Sequence, residues 1–272
     1  MNLSVIILTY NEQLHLQRCI ENVKELSDEI FVVDCFSTDG TQDIARRLGA
    51  TVVEHAWPGN QAEQMNWALD NLPLQGTWIL RLDADEWMTA ELIQELRVEL
   101  PLLGAEVGGL LLLLRRYFMG KWIRHAGPSV WLLRLFRRGW GRCEKREMDE
   151  HIVLSQGDIV RAKAAFVDDN LNSLIWWTQK HLNYAEREMK LLLSETSHVA
   201  EDSSAELAMK RRQKGRYAKL PLFWRAAGYF FYRYILRGGF LDGKEGFLWH
   251  FLQALWYRTF VDALVFEKTR RS

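Results

Sequence analysis

The chain has 272 residues, room for one large domain or one domain with a smaller appendage, and its 48% hydrophobic content allows a sizeable core. Lysine plus arginine and aspartate plus glutamate balance at 35 each, so no overall field points to a nucleic acid partner. Cys19, Cys35 and Cys143 are widely spaced and form no Cys-x-x-Cys pair, and an odd count fits a reducing compartment better than a disulfide framework.

Leu3 to Leu8 reads as a buried strand, and Met1 to Tyr10 lacks the basic start and small-residue cleavage site of a signal peptide. Thr9-Tyr10-Asn11-Glu12 reads as a turn, and Glu12 to Glu25 has helical spacing. Glu29 to Asp34 is a second buried strand, after which Ser37 or Thr38 is expected to cap a helix. A third strand spans Ala50 to Glu54, a helix Gln61 to Leu72, and a fourth strand Thr77 to Leu82. This alternation argues for a parallel sheet with helices on both faces. Thr89 to Leu100 is helical in pattern. Gly109 to Arg115 and Val130 to Arg137 read as longer strands, with a loop rich in glycine, aromatic and basic residues, Arg116 to Ser129, between them. Lys163 to Asp169 is a further strand and Ser173 to Leu193 a helix.

From there the composition shifts. Residues 194–219 read as a linker, polar and acidic at first, then basic, that separates a domain over 1–193 from a segment over 220–272. Residues 220–260 hold 14 of the 33 aromatics. Leu220 to Arg237 and Phe247 to Phe260 are helical in pattern, but the longest run free of charge, Gly246 to Tyr257, is twelve residues. A spanning helix needs roughly 18 or more apolar residues. Aromatic amphipathic helices beside a basic run suit a membrane interface instead, with Lys210, Arg211, Arg212, Trp224, Arg225, Trp249 and Trp256 expected to face lipid. Packing against the domain, or an oligomer contact, would explain the same aromatics.

The densest chemical signal is Trp78-Ile79-Leu80-Arg81-Leu82-Asp83-Ala84-Asp85-Glu86, an apolar strand ending in two carboxylates one residue apart. Hard oxygen ligands of this kind suit Mg²⁺ or Mn²⁺, with a substrate diphosphate completing the shell. The competing reading is that these acids only start the helix that follows. In an open α/β sheet, polar residues at strand C-termini mark the ligand crevice. Three such ends occur, at Thr9-Tyr10-Asn11-Glu12, Asp34-Cys35-Phe36-Ser37 and Asp83-Ala84-Asp85. No Gly-x-Gly-x-x-Gly and no Gly-Lys-Ser/Thr loop is present, which counts against a dinucleotide oxidoreductase and a P-loop ATPase.

Together, Val5-Ile6-Ile7-Leu8-Thr9-Tyr10-Asn11-Glu12, Val32-Val33-Asp34-Cys35-Phe36-Ser37-Thr38-Asp39-Gly40-Thr41 and Leu82-Asp83-Ala84-Asp85-Glu86 resemble the family 2 glycosyltransferases of GT-A fold. The bacterial lipopolysaccharide-core and exopolysaccharide branch is the most similar, and Trp57-Pro58-Gly59, Gln64-Met65-Asn66 and Gly238-Gly239-Phe240-Leu241-Asp242-Gly243 share in that likeness. The resemblance implies a mixed, mostly parallel Rossmann-like sheet. It implies that Thr9, Tyr10, Asn11, Glu12 and Asp34 line the base and ribose pocket, with Gln64, Arg81, Asp83, Ala84 and Asp85 also at the donor. Asp85 and Asp83 would serve Mn²⁺ or Mg²⁺. Cys35 stands where many members carry a second aspartate, so UDP as carrier is less strongly implied than nucleotide-sugar binding.

An inverting transfer needs a base for the acceptor hydroxyl, and the resemblance places it in Glu147-Met148-Asp149-Glu150-His151, with Glu150 first and Asp149 second. The expected activity is transfer of a hexosyl or N-acetylhexosaminyl group from a nucleotide sugar. The acceptor would be a lipid-linked or core oligosaccharide, the protein cytoplasmic and peripheral on the inner membrane. A metal-dependent nucleotidyltransferase and a non-catalytic membrane-surface scaffold are the alternatives.

Overall fold

Short apolar runs near the N-terminus become parallel strands, and their register decides where the polar motifs meet. The computed structural model describes residues 2–125, 129–144, 151–193, 212 and 215–271. The chain divides into two units, Met1–Tyr117 with Ser129–Leu171, and Phe118–Pro128 with Asn172–Ser272.

In the first unit, β1 (Leu3–Thr9), β2 (Glu29–Asp34), β3 (Thr51–Glu54) and β4 (Trp78–Asp83) are all parallel, in the order β3-β2-β1-β4. Thr9 is the ladder partner of Asp34, and Leu8 of Asp83. The three polar motifs therefore emerge at one edge of the sheet, as crevice logic requires. Beyond β4 the sheet turns mixed. β4 pairs antiparallel with β8 (Val130–Arg137), β8 antiparallel with β6 (Val107–Phe118), β6 parallel with β11 (Asp158–Asp168), and β11 antiparallel with β5 (Glu86–Met88). A separate two-stranded ribbon joins β9 (Gly141–Cys143) to β10 (Ile152–Leu154).

Alternation along β1 feeds a core on each face. Val5 and Ile7 pack with Leu16, Cys19, Ile20 and Val23 of α1 (Leu16–Val23), while Ile6 packs with Ala62, Met65 and Ala68 of α3 (Gln61–Asn71).

Several local expectations change. Helix α1 starts at Leu16, because Asn11 takes a left-handed φ of 56° and residues 12–15 form a turn. Helix α2 (Thr41–Arg47) is not capped by Ser37 or Thr38. Ser37 gives its N–H and hydroxyl to Asp34, Thr38 gives its N–H to the Asn11 side chain, and Asp39 accepts from the Thr41 N–H instead. Asp83 to Glu86 do not start a helix either: β5 intervenes, and Thr89 caps α4 (Ala90–Glu99) by accepting from the Leu92 N–H. The expected loop from Arg116 contains strand at its start. β6 runs to Phe118, and Met119 and Gly120, both at positive φ, make the two-residue turn before β7 (Lys121–Trp122).

Among the described residues the second unit is mostly helical, with β7 as its strand. α5 (Leu174–Leu193) packs on α8 (Tyr257–Arg271), with Ala185 against Tyr257 and Val261, and the Tyr257 hydroxyl donates to Glu188 at 2.7 Å. The second unit takes up the chain again at Asn172, so α5 belongs to it. α6 (Trp224–Phe231) runs into a π-helical turn, Tyr232–Leu236, and α7 (Gly243–His250) continues through a second, Phe251–Trp256, into α8. Among the described residues no helix is long and apolar enough to cross a membrane.

Two residues expected to face lipid do not. Arg225 is buried because its guanidinium is held by Asp262, with Nε donating at 2.7 Å. Trp249 is buried in a small cluster with Phe118 and Ile123. Trp256 is half-buried and stacked on Phe260, whereas Trp224 stands open to solvent. Lys210 and Arg211 lie outside the described residues, and Arg212 is exposed.

Candidate active site

Asp34 is fully buried at the end of β2 and spends its whole carboxylate on the protein. One oxygen accepts from the Thr9 hydroxyl at 2.8 Å and from the Ser37 hydroxyl at 2.5 Å; the other accepts from the Ser37 N–H and from Gln42, both at 2.7 Å. Thr9 and Asp34 thus tie the ends of β1 and β2 together, and Asn11 adds a second tie to Ser37 and Thr38. Tyr10 and Phe36, which follow these paired strand ends, are left exposed. Glu12 donates its N–H to Thr41 Oγ1 at 2.8 Å, and its carboxylate holds His15 Nδ1 at 2.6 Å. His15 Nε2 accepts from the Leu171 N–H at 2.8 Å, so the ring proton sits on Nδ1 and is donated to Glu12.

The acidic motif alternates as a strand end should. Ala84 is buried in the core, which leaves Asp83 and Asp85 partly accessible on either side of it. Ala84 can therefore meet a donor only through its backbone. Glu86 is buried again, and one of its oxygens accepts the Asp83 N–H at 2.9 Å. Burial pushes the Glu86 carboxyl up, with Asp83 and Asp85 adding to the effect, while Arg134 opposes it by favouring the ionised form.

Arg134 is the residue that sequence reasoning missed. It is buried, its Nη2 contacts Glu86 closely and Asp83 at 3.1 Å, and these carboxylates hold its charge in place. The ladder between β6 and β8 pairs Leu110 with Leu135 and Leu111 with Leu133, skipping Arg134. That bulge releases Arg134 from the regular alternation and lets it reach the acids. An arginine in the middle of an apolar strand was the available signal, since a buried charge needs a partner. Arg81 adds a second cation, with Nη2 3.6 Å from Asp83 and 3.2 Å from Gln61.

Asp85 is held from the far edge of the sheet. Its Oδ2 accepts from the Asn170 side chain at 2.9 Å, and its backbone oxygen accepts from the Asp169 N–H. The 168–171 segment is itself fixed by Arg18, which donates to the Asp169 carboxylate at 2.6 Å and its carbonyl at 2.7 Å, and by His15 at Leu171. Asn170, Arg18 and His15 thus position Asp85 from well away in sequence.

Gln64 is fully buried, bridging His55 Nδ1 at 2.7 Å and the Cys35 sulfur at 3.3 Å. The Cys35 thiol is pushed up to about 11 by burial and by Asp34, so it stays protonated at neutral pH. Glu150 and Asp149 lie outside the described residues.

The donor set fits a divalent cation in part. Among the described residues no three His, Cys, Asp or Glu side chains stand together as a metal cage. Two carboxylates one residue apart, one engaged by arginines and one aimed by an asparagine, make the kind of half-site that a diphosphate completes.

Residues 4–107 match the sequence model of the family described as glycosyl transferase family 2. Over these residues the chain is similar to family 2 glycosyltransferases. The chain is also similar to named glycosyltransferases. An uncharacterized glycosyltransferase of Rickettsia bellii is 39% identical over 94 residues, 35% of this chain and 31% of that protein. The lipopolysaccharide core biosynthesis glycosyltransferase LpsC of Rhizobium meliloti is 29% identical over 170 residues, 59% of this chain and 60% of that one. The chain spans about a third of the length of the Rickettsia relatives it matches. In structure, mannosyltransferase PcManGT of Pyrobaculum calidifontis, solved with GDP-Man and Mn²⁺, aligns over 98% of this chain and 87% of its own, with a TM-score of 0.53 and 17% identity. At that identity the likeness establishes the GT-A fold, the mixed and curled α/β sheet that the family domain requires.

Proposed function

We propose that the chain is an inverting, metal-dependent glycosyltransferase, moving a sugar from a nucleotide donor to a lipid-linked or core oligosaccharide at the cytoplasmic face of the inner membrane. The observation that carries this is the register of β1, β2 and β4, which brings the Thr9–Asn11, Asp34–Ser37 and Asp83–Asp85 motifs to one sheet edge. The similarity to LpsC, a lipopolysaccharide core biosynthesis glycosyltransferase, supports the acceptor class. TarS of S. aureus, solved with UDP-GlcNAc, shares the fold at a TM-score of 0.51 and 14% identity, and PcManGT holds GDP-Man. Either nucleotide carrier is thus compatible with this architecture.

Asp85, aimed by Asn170, is the primary cation ligand, and Asp83, which Arg134 and Arg81 contact, assists it. A bound Mn²⁺ or Mg²⁺ would neutralise the leaving diphosphate. The rest falls to the chain: the latched β1 and β2 ends seat the nucleoside, Asn170 aims Asp85, and Arg81 and Arg134 hold Asp83 beside the donor. Glu150, with Asp149 second, takes the acceptor hydroxyl's proton.

Incubation with a panel of nucleotide sugars and Mn²⁺ tests this reading. Release of a nucleoside diphosphate is expected with one donor; release of pyrophosphate instead would favour the nucleotidyltransferase, and no turnover or metal-dependent binding with any donor the scaffold. Glu150→Gln is expected to lower transfer by at least about a hundredfold while the variant still binds donor. Full turnover in that variant would move the base elsewhere.

A further inference from the structure

Helix α6 and the turn that continues it are inside out. From Trp224 to Leu236 the exposed positions are 224, 227, 228, 231, 232, 235 and 236, a helical stripe made only of Trp, Ala, Gly, Phe, Tyr, Ile and Leu. Trp224 is 80% exposed and Leu236 67%. The charged residues of the same stretch are turned the other way. Arg225 is 5% exposed, donating to Asp262 and, through Nη1, to the Ala218 carbonyl at 2.9 Å, while Arg233 lies over the Tyr229 ring at 5.4 Å. Behind them the interior continues polar, with Arg258 joined to Glu188 at 2.5 Å and Tyr217 under both Arg225 and Arg258. A helix bathed in water places its charges outward, and a contiguous exposed apolar face marks an interaction surface. Phe240, Leu241, Phe247 and Phe251 extend the exposed apolar side chains along the chain.

Charge decides what covers the stripe. Residues 207–241 carry nine lysines and arginines and no acid. The run ends at Asp242, which is buried and spent on His125, accepting from its N–H and its ring. A second copy of this chain would bring a second cationic stretch against the first. An anionic lipid surface satisfies both the apolar stripe and the charge around it. We infer that the outward face of Trp224–Leu236, led by Trp224, Phe231, Ile235 and Leu236, is seated in the headgroup interface of an anionic phospholipid bilayer. The buried Arg225–Asp262 pair is then a strut that orients the stripe rather than a lipid contact.

This deepens the membrane side of the function proposed above and rests on it only for its purpose. The test therefore contains no nucleotide sugar, so a failure of sugar transfer leaves its outcome unaffected. The full chain is floated with phosphatidylcholine vesicles, with and without about one-third phosphatidylglycerol, at low and high salt. Flotation is expected with the anionic vesicles and to weaken in high salt. Phe231→Gln/Ile235→Gln/Leu236→Gln is expected to keep its circular dichroism and lose about a hundredfold in partitioning. Trp224→Ala alone is expected to weaken it less, and in the wild type brominated lipid should quench Trp224 fluorescence, read as the difference from that variant. Two results overturn the inference: flotation of the triple variant equal to wild type, or a stable wild-type dimer that ignores vesicles and becomes monomeric in the triple variant.

Discussion

Asp85→Asn is expected to lower sugar transfer about a thousandfold or more while leaving the fold intact, because a cation stabilising the leaving diphosphate is worth several kcal/mol in the transition state. The substitution is chosen to spare everything else. Asp85 shows its Oδ2 to Asn170 and its carbonyl to Asp169, and both bonds survive an amide at this position. What disappears is the negative charge. Nucleotide release with Mn²⁺ measures the loss, and thermal melting checks that the variant is folded. Wild-type turnover in Asp85→Asn would remove this carboxylate from the chemistry.

The second large effect is on stability. Arg134→Met is expected to cost roughly 3–5 kcal/mol, since removing one partner of a buried ion pair leaves the other uncompensated. Here two acids lose their partner at once. Glu86 is the more deeply buried, and Asp83 keeps Arg81 at 3.6 Å. For a unit of this size that cost lowers the melting temperature by about 6–20 °C. Arg134→Met/Glu86→Leu should recover most of the loss, because an apolar pair of similar volume carries no stranded charge. Unchanged melting of the single variant would show that the Arg134 contacts contribute no net stability.

Much of the fold was legible because each strand of the first half is a short apolar run bounded by turn residues. Glu29–Asp34 was readable to the residue for that reason. The acids at 83 and 85 were legible as a pair because Ala84 between them fixes the alternation. Non-local partners were not. Arg134 reaches Glu86 across 48 positions and Asn170 reaches Asp85 across 85, and no local pattern encodes either pairing. The Ser37 cap misled for a related reason: its groups go to Asp34, so the helix begins four residues later, at Thr41. At the C-terminal end the aromatic excess was visible, but its outward side was not. Both faces of α6 carry aromatic rings, and Asp262, far along the chain, helps turn Arg225 inward.

The most direct measurement is calorimetric titration of the productive nucleotide sugar into the wild type and Asp85→Asn, each with Mn²⁺ and with EDTA. Binding to the wild type should weaken by at least about tenfold when the metal is chelated, and Asp85→Asn should bind weakly and equally in both conditions. Equal affinity of the wild type with and without EDTA, or a metal effect of the same size in Asp85→Asn, would contradict a cation held between this carboxylate and the donor's diphosphate.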